Sequence, residues 1–264
     1  VKTGICGVSG RMGRAIAGVL AQRGHTLVAA FDDPSSPEAG KDAGTLFGGG
    51  DTGVNVSAIN EEDLSRAEGV IDFSAPAATM RLLPLAVALG RPLVVGTTGF
   101  SQEQRRRFEE AAGSIPLLVS PNMSVGVNLL FRLTEIAARV LGEGYDVEVF
   151  EAHHRFKKDA PSGTAKRLIE VVKGSSGHLA AAGEAYDRSG IVGERTSREI
   201  GVQVLRGGDI VGEHTVYFVG MGERVELTHR AQSRDNLARG AVLALEYIAG
   251  RKPGLYSMFD VLGI

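Results

Sequence analysis

The chain has 264 residues, enough for one large domain or two modest ones, and its 43% hydrophobic and 23% charged residues are the balance of an ordinary globular protein. Its 29 Lys and Arg against 31 Asp and Glu leave a net charge of −2, which excludes a global basic field for nucleic acid or an acidic membrane, so any anion site must be local. A single cysteine, Cys6, excludes an internal disulfide framework and a cysteine-cluster metal site. No metal is expected, and with no leader-like start and no apolar run near about 20 residues, neither is a membrane; the expected location is cytoplasmic.

Residues 2–6 read as a strand that runs into Gly7-Val8-Ser9-Gly10-Arg11-Met12-Gly13, and a helix follows through Ala15, Ile16, Val19 and Leu20 to Gly24. Strand, glycine turn and helix in that order are what a dinucleotide fingerprint requires. Gly7 and Gly10 allow a tight turn and close approach of a pyrophosphate to backbone N–H groups, and Gly13 allows close helix-to-strand packing. The Gly-x-x-Gly-x-x-Gly spacing is not the commonest one, and a plain βα turn fits it as well. The next strand, 27–31, adds the second half of the fingerprint, because it ends in Asp32-Asp33, where an acid would hold the adenosine ribose hydroxyls.

Residues 34–55 form a loop without periodicity. Strands follow at 70–74, 92–95 and 117–119, alternating with helices at 76–89 and 101–112, and their continuous apolar character suits a parallel sheet covered on both faces. Such sheets bind ligands at the carboxyl ends of their strands. There lie the glycine turn, Asp32, Ser74, Gly96-Thr97-Thr98-Gly99 and Ser120-Pro121-Asn122-Met123. The hydroxyls and bare backbone of Gly96 to Gly99 suit a nicotinamide as well as a tight turn.

After a long helix at 124–141 the pattern changes to longer strands at 146–151, 200–205, 210–219 and 224–230, with glycine turns at 207–209 and 220–222. The segment 174–198 reads as an irregular excursion. Ser233 caps a last helix over 234–249, whose apolar face of Leu237, Ala241, Leu245 and Ile248 returns to the first sheet. The expected fold is therefore α/β. A Rossmann-type parallel-sheet domain over 1–124, completed by 234–264, carries an inserted α+β domain over 125–233 built on a mixed, mainly antiparallel sheet. His25, His178, His214 and His229 have no partner cluster and read as surface or strand residues.

The densest chemistry lies in Glu151-Ala152-His153-His154-Arg155-Phe156-Lys157-Lys158-Asp159-Ala160-Pro161-Ser162-Gly163-Thr164-Ala165. Leu168, Ile169, Val171 and Val172 recur at helical spacing, Ser162 is a good N-cap, and Pro161 excludes an earlier turn. The helix thus begins at Gly163, and the N–H groups of Gly163, Thr164 and Ala165, with the positive end of the helix dipole, make an anion seat. Lys157 and the His pair enter the same loop, so the natural ligand is a small acid with one or more carboxylates. If strand geometry persists through His153 and His154, they face opposite sides, one toward a reacting centre and one toward a carboxylate. An imidazole suits proton transfer near neutral pH, and an ammonium supplies charge or a proton. The alternative is a solvated basic turn.

Together with Val70-Ile71-Asp72-Phe73-Ser74, the glycine turn, Gly96 to Phe100, Ser120 to Asn128 and Gly208-Asp209-Ile210-Val211-Gly212-Glu213-His214-Thr215, this stretch resembles the dihydrodipicolinate reductase family over essentially the whole chain. The resemblance implies NADH or NADPH as cofactor. It implies hydride transfer to a cyclic dicarboxylic imine, converting 4-hydroxy-tetrahydrodipicolinate to tetrahydrodipicolinate on the diaminopimelate route to lysine. It implies a proton donor and acceptor in His153, a proton donor in Lys157, and substrate carboxylates held by His154 and the backbone at Gly163 and Thr164. Cofactor contacts carry over to Gly7, Val8, Ser9, Gly10, Arg11, Met12, Asp32, Gly96, Thr97, Thr98, Ser120, Pro121, Asn122 and Met123, and a homotetramer built through the second domain's sheet is implied.

One departure matters: where some members have an Arg after the ribose acid, Asp33 stands here. Two adjacent carboxylates repel a 2′-phosphate, so NADH is the expected preference, tempered by Arg11 and Arg14. Two other functions are weighed. A semialdehyde dehydrogenase needs a nucleophilic cysteine in mid-chain, and only Cys6 exists. A non-catalytic nucleotide-sensing module would not need His153 and Lys157.

Overall fold

In the computed structural model, which describes residues 1–233 and 235–264, the chain divides into two compact units, Val1–Val125 with Arg234–Ile264 and Gly126–Ser233. Arg234, the expected first residue of the last helix, lies outside the described residues. In chain order the elements are β1 (Lys2–Cys6), α1 (Arg11–Gln22), β2 (Thr26–Phe31), β3 (Val56–Ser57), α2 (Glu61–Ser65), β4 (Gly69–Asp72), α3 (Pro76–Ala88), β5 (Leu93–Val95), α4 (Gln102–Ala112) and β6 (Pro116–Val119). Then come α5 (Val125–Leu141), β7 (Asp146–His153), α6 (Gly163–Ser175), β8 (Gly183–Ala185), β9 (Glu199–Arg206), β10 (Gly212–Val219) and β11 (Arg224–Ala231). The chain ends in α7 (Asp235–Ile248), β12 (Gly254–Tyr256) and α8 (Met258–Leu262). No helix among the described residues is long and apolar enough to cross a membrane.

The first sheet is parallel throughout, in the order β12-β6-β5-β4-β1-β2-β3. It has seven strands rather than the five legible in sequence, because β3 and β12 are only two and three residues long and exist through lateral pairing with β2 and β6. A strand covered on both faces sends alternate side chains into different layers. Ile71, Val94 and Leu118 join Ile16 and Leu20 of α1 and Ala241, Leu245 and Ile248 of α7 in one core. Their chain neighbours Val70, Leu93, Val95 and Leu117 join Leu82 and Leu83 of α3 and Phe108 of α4 in the other. Each such buried aliphatic side chain contributes about 1.5–3 kcal/mol, so the late helix α7 is needed to complete the early unit. The 34–55 segment is more ordered than its lack of periodicity suggests. Its Asp42 side chain accepts from the N–H groups of Gly44 (2.7 Å) and Thr52 (3.1 Å), and Asp42 caps a short 3-10 turn over Ala43–Leu46.

The second sheet runs β11-β10-β7-β9-β8. It is mixed, as expected, but the parallel share is larger than the glycine turns suggest: β10 is antiparallel to β11 and β7, whereas β7 is parallel to β9 and β9 to β8. The reason is that β7 lies between β9 and β10, so the 207–209 turn does not close a hairpin. Ala165, Leu168, Ile169 and Val172, at helical spacing on α6, are the helix's buried residues, and α6 packs against β7 and β10. The 174–198 excursion is tied down by β8 and by ion pairs: Arg188 grips Glu148 (2.8 Å) and Glu199 (2.6 Å), and Arg195 meets Asp146 at 2.7 Å.

The closest backbone approach on α7 is at Gly240, where a Cβ would overlap the Met123 carbonyl oxygen. Gly240→Ala should destabilise the fold by about 1–3 kcal/mol through overpacking, a loss that chemical denaturation would measure as a lower midpoint with an unchanged slope.

Candidate active site

Hydrogen bonds join the carboxyl ends of neighbouring parallel strands into one rim. Gly7 N–H donates to the Phe31 carbonyl (2.8 Å), Phe73 N–H to Cys6 (3.0 Å), Gly96 N–H to Asp72 (2.9 Å) and Ser120 N–H to Val95 (3.0 Å). Asp32, the glycine turn, Phe73-Ser74, Gly96-Thr97 and Ser120 therefore stand in lateral order. A cavity of about 330 Å³ opens beside them, lined among others by Gly7, Gly10, Asp32, Asp33, Phe73 and Arg81, and its size suits part of a nucleotide.

The glycine turn works differently from its sequence reading in one respect. Gly7 has φ +82°, and a Cβ there or at Gly13 would overlap backbone atoms of Phe73 or of Gly7 and Val8. These residues must be glycine for packing. The N–H groups of Gly7, Ser9 and Gly10 are engaged within the protein, by Phe31 O, Asp32 Oδ2 (2.8 Å) and Gly7 O (3.1 Å). The N–H groups of Arg11 and Met12, in the first turn of α1, have no protein acceptor among the described residues. Glycines shape the turn, and the helix start leaves these N–H groups without a protein partner among the described residues, as an anion site requires. Val8 and Met123 bury their side chains in the core and present only backbone. Thr98 and Pro121 are exposed, and Asn122 accepts the Ser124 N–H (2.9 Å) in a turn folded on itself.

Beneath the rim, Asp72 is fully buried and accepts from the hydroxyls of Ser74 (2.5 Å), Thr79 (2.5 Å) and Thr97 (3.3 Å). Thr97 Oγ1 in turn accepts the Ser74 N–H at 2.9 Å, which fixes the Gly96-Thr97 loop. Burial pushes the Asp72 carboxyl above its ordinary value despite these hydroxyls. Burial and the Asp72 charge likewise push the Cys6 thiol up, so it is no nucleophile at neutral pH, and thioester chemistry has no residue to run on.

In the second unit the organising group is Glu151, which sits with 0% exposure on β7. Its carboxylate accepts both Arg206 Nη groups (2.8 and 3.0 Å) and the Ser162 N–H (3.1 Å), and it bonds His153 Nδ1. Ser162 caps α6 as expected, but its hydroxyl takes the Ala165 N–H (3.2 Å), so Ala165 is not part of the anion seat. Gly163 opens the helix, its N–H without a protein acceptor among the described residues, and Thr164 follows it. The strand ends at His153, so His154 departs from it by loop geometry rather than by alternation. His154 Nδ1 is buried with no hydrogen-bond partner, and Lys157 Nζ pairs with both oxygens of Asp159 (2.9 and 2.8 Å).

His214 corrects the reading of the lone histidines. It is a strand residue, but it is 4% exposed, bonds Ser162 Oγ through Nε2 (3.1 Å) and lies edge-on to His153 with ring centroids 5.2 Å apart. Arg206, His214, Arg81 and the role of Glu151 went unrecognised in the sequence. Glu151 alone left a local signal, because it shares the apolar register of Val147, Val149 and His153. Glu151, His153 and His214 have polar atoms within 4.8 Å of one another, but the carboxylate is already held by Arg206 and His214 Nε2 by the Ser162 hydroxyl.

A doubly wound parallel sheet with a glycine turn and a ribose-type acid at its strand ends, in one chain with a unit carrying an imidazole and ammonium loop, defines a nicotinamide-dependent oxidoreductase. Residues 1–123 match the family description "Dihydrodipicolinate reductase, N-terminus" and residues 126–262 match "Dihydrodipicolinate reductase, C-terminus". The chain belongs to the dihydrodipicolinate reductase family. It is 48% identical over 265 residues to the 4-hydroxy-tetrahydrodipicolinate reductase of Syntrophotalea carbinolica, covering 100% of this chain and 99% of that one, and 50% identical, with the same coverage, to the protein of that name from Thiobacillus denitrificans. Among solved structures, a dipicolinate-bound dihydrodipicolinate reductase from Paenisporosarcina sp. TG-14 shares the fold with a TM-score of 0.78 at 21% identity, covering 98% of each chain.

Burial pushes the Glu151 carboxyl up, but its bonds to His153, Arg206 and Ser162 outweigh that and hold it at about 2. Burial, with His153 beside it, pushes His214 down to about 3. Both values lie below the ordinary 4.5 and 6.5, so both contributions to stability are complete above the ordinary value and are lost as pH falls through the folded one. His229, which burial also lowers, and Asp72, which burial raises, add their own slopes, so the His214 part shows as a difference: between pH 6.5 and 4.5 urea denaturation should show stability falling less steeply in His214→Gln than in the unsubstituted chain. Equal slopes over that window in the two proteins would contradict the neutral, buried state of His214.

Proposed function

We propose that the chain reduces 4-hydroxy-tetrahydrodipicolinate to tetrahydrodipicolinate, with loss of the hydroxyl as water, on the diaminopimelate route to lysine. The observation that carries this is the Glu151 carboxylate, which ties His153 to the cap of α6, and so to a helix start of the kind that suits a small dicarboxylate. His153 moves the proton, Lys157 donates one, and His154 with the backbone at Gly163 and Thr164 holds the carboxylates. Asp159 is exposed in its pair with Lys157, so the pair is worth only about 1 kcal/mol and a substrate carboxylate can displace Asp159.

The reduced nicotinamide supplies hydride when bound. Residues 1–124 with 234–264 serve as the dinucleotide-binding domain, through Gly7 to Met12, Asp32, Gly96 to Thr98 and Ser120 to Met123, and 125–233 as the substrate and oligomerisation domain. Asp33 stays ionised because the Ser35 hydroxyl and N–H hold it below its ordinary value, and Arg14 is already engaged by Ser9 O (2.9 Å) and Glu38 (3.4 Å). Both favour NADH, whereas Arg81 in the same cavity narrows the margin. Exposed Val204, Leu205 and Val219 on the second sheet and Leu133, Ile136 and Val140 on α5 support a homotetramer built through this unit. A cytoplasmic location fits the biosynthetic role.

Steady-state assays with freshly generated substrate test the reading. His153→Ala should lower kcat by about 10²–10⁴-fold with little change in dinucleotide affinity, and an unchanged rate would remove His153 from the mechanism. In the same assay kcat/KM should favour NADH by about tenfold, since a like charge beside the 2′-phosphate costs at least about 1.4 kcal/mol, and a preference for NADPH would refute the Asp33 assignment. Sedimentation equilibrium should give four chains, and a monomer would refute the assembly.

A further inference from the structure

The proposed reaction gives no task to the most enclosed charge of its site. Glu151 has no solvent to turn into, and the fork of Arg206 holds both its oxygens, Nη2 to Oε1 at 2.8 Å and Nη1 to Oε2 at 3.0 Å. The Ser162 N–H bonds Oε1 at 3.1 Å, and Arg206 Nη2 also bonds the Asp159 carbonyl at 2.8 Å, so the carboxylate is fixed from β9, from the cap of α6 and from the loop between. A two-pronged Arg pair sets the plane of a carboxylate as well as its place. The remaining contact of Oε2 is His153 Nδ1.

On the other side of the imidazole lies Gly212. A Cβ there would stand 3.1 Å from His153 Nε2 and 3.5 Å from Cδ2, so glycine keeps that nitrogen uncrowded. The His214 ring closes a third side, inclined at 73° to His153.

We propose that Glu151, held by Arg206, is the positioning residue for His153: it keeps a proton on Nδ1 and leaves Nε2, beside Gly212, as the nitrogen that exchanges a proton with substrate. An ionised carboxylate only accepts hydrogen bonds, so its partner Nδ1 carries the hydrogen and the lone pair of the neutral ring falls on Nε2. When Nε2 takes a proton, the same carboxylate stabilises the resulting cation. The inference rests on His153 as the proton-transfer group of the function proposed above.

The charged and titratable groups around the imidazole are Glu151 on its own strand, Arg206 on β9, His214 on β10, and Lys157 and Asp159 in the loop. Without the Glu151 charge, Arg206 opposes a cationic ring. Glu151→Gln should therefore lower kcat by about 10²-fold, leave the dinucleotide KM within about twofold, and move the acid limb of the pH–rate profile to lower pH. Glu151→Asp, which keeps the charge one methylene further back, should restore part of the rate. Gly212→Ala, which crowds Nε2 and leaves Glu151 untouched, should lower kcat while ¹⁵N spectra still show the Nδ1–H form.

The unsubstituted protein supplies a test that needs no variant to fold: ¹⁵N histidine spectra near neutral pH should show His153 as the Nδ1–H tautomer, and the Nε2–H tautomer would overturn the inference. A Glu151→Gln enzyme with the original kcat and pH profile would overturn it as well, while a large loss in His153→Ala would leave the functional reading standing. No loss in His153→Ala would sink both.

Discussion

A carboxylate without solvent contact survives in a fold only when cations and N–H groups replace its water, and the second unit is arranged around meeting that demand at Glu151. Its partners come from three parts of the unit: His153 two residues on along β7, Ser162 at the cap of α6, and Arg206 at the end of β9. Removing one partner of such a buried pair costs about 3–5 kcal/mol, so the strand, the helix cap and the loop between them are held in one geometry. That geometry ties an imidazole to a helix start.

The first unit answers a similar demand without a cation. Asp72 lies fully buried at the end of β4 and is satisfied by Ser74, Thr79 and Thr97, so its neighbours are hydroxyls rather than a guanidinium. The two carboxyls respond in opposite directions. Burial dominates at Asp72 and raises it, whereas at Glu151 burial is the largest single effect but the bonds to His153, Arg206 and Ser162 together outweigh it and lower it. Asp72 stiffens a rim of backbone; Glu151 carries a fixed charge next to the His153 ring. The chain's membership of the dihydrodipicolinate reductase family is the setting in which both carboxyls sit.

Much was legible from local pattern. The continuous apolar strands, the glycine turn followed by a helix, the acid after β2 and the capped start of α6 are all decided within a few residues, and the structure has each of them. The two-residue β3 and three-residue β12 were not legible, since no period can be detected over so few residues. The same limit hid the order of Asp42 and its turn.

By itself the sequence determined that Glu151 lies in the apolar phase of its strand, with Val147, Val149 and His153, because side-chain alternation is a property of the chain alone. What only the tertiary structure decided is which groups meet that carboxylate. Placing β7 between β9 and β10 sets Arg206 opposite His153 and His214 opposite Glu151, and strand order depends on pairings between residues more than fifty positions apart that no local pattern encodes.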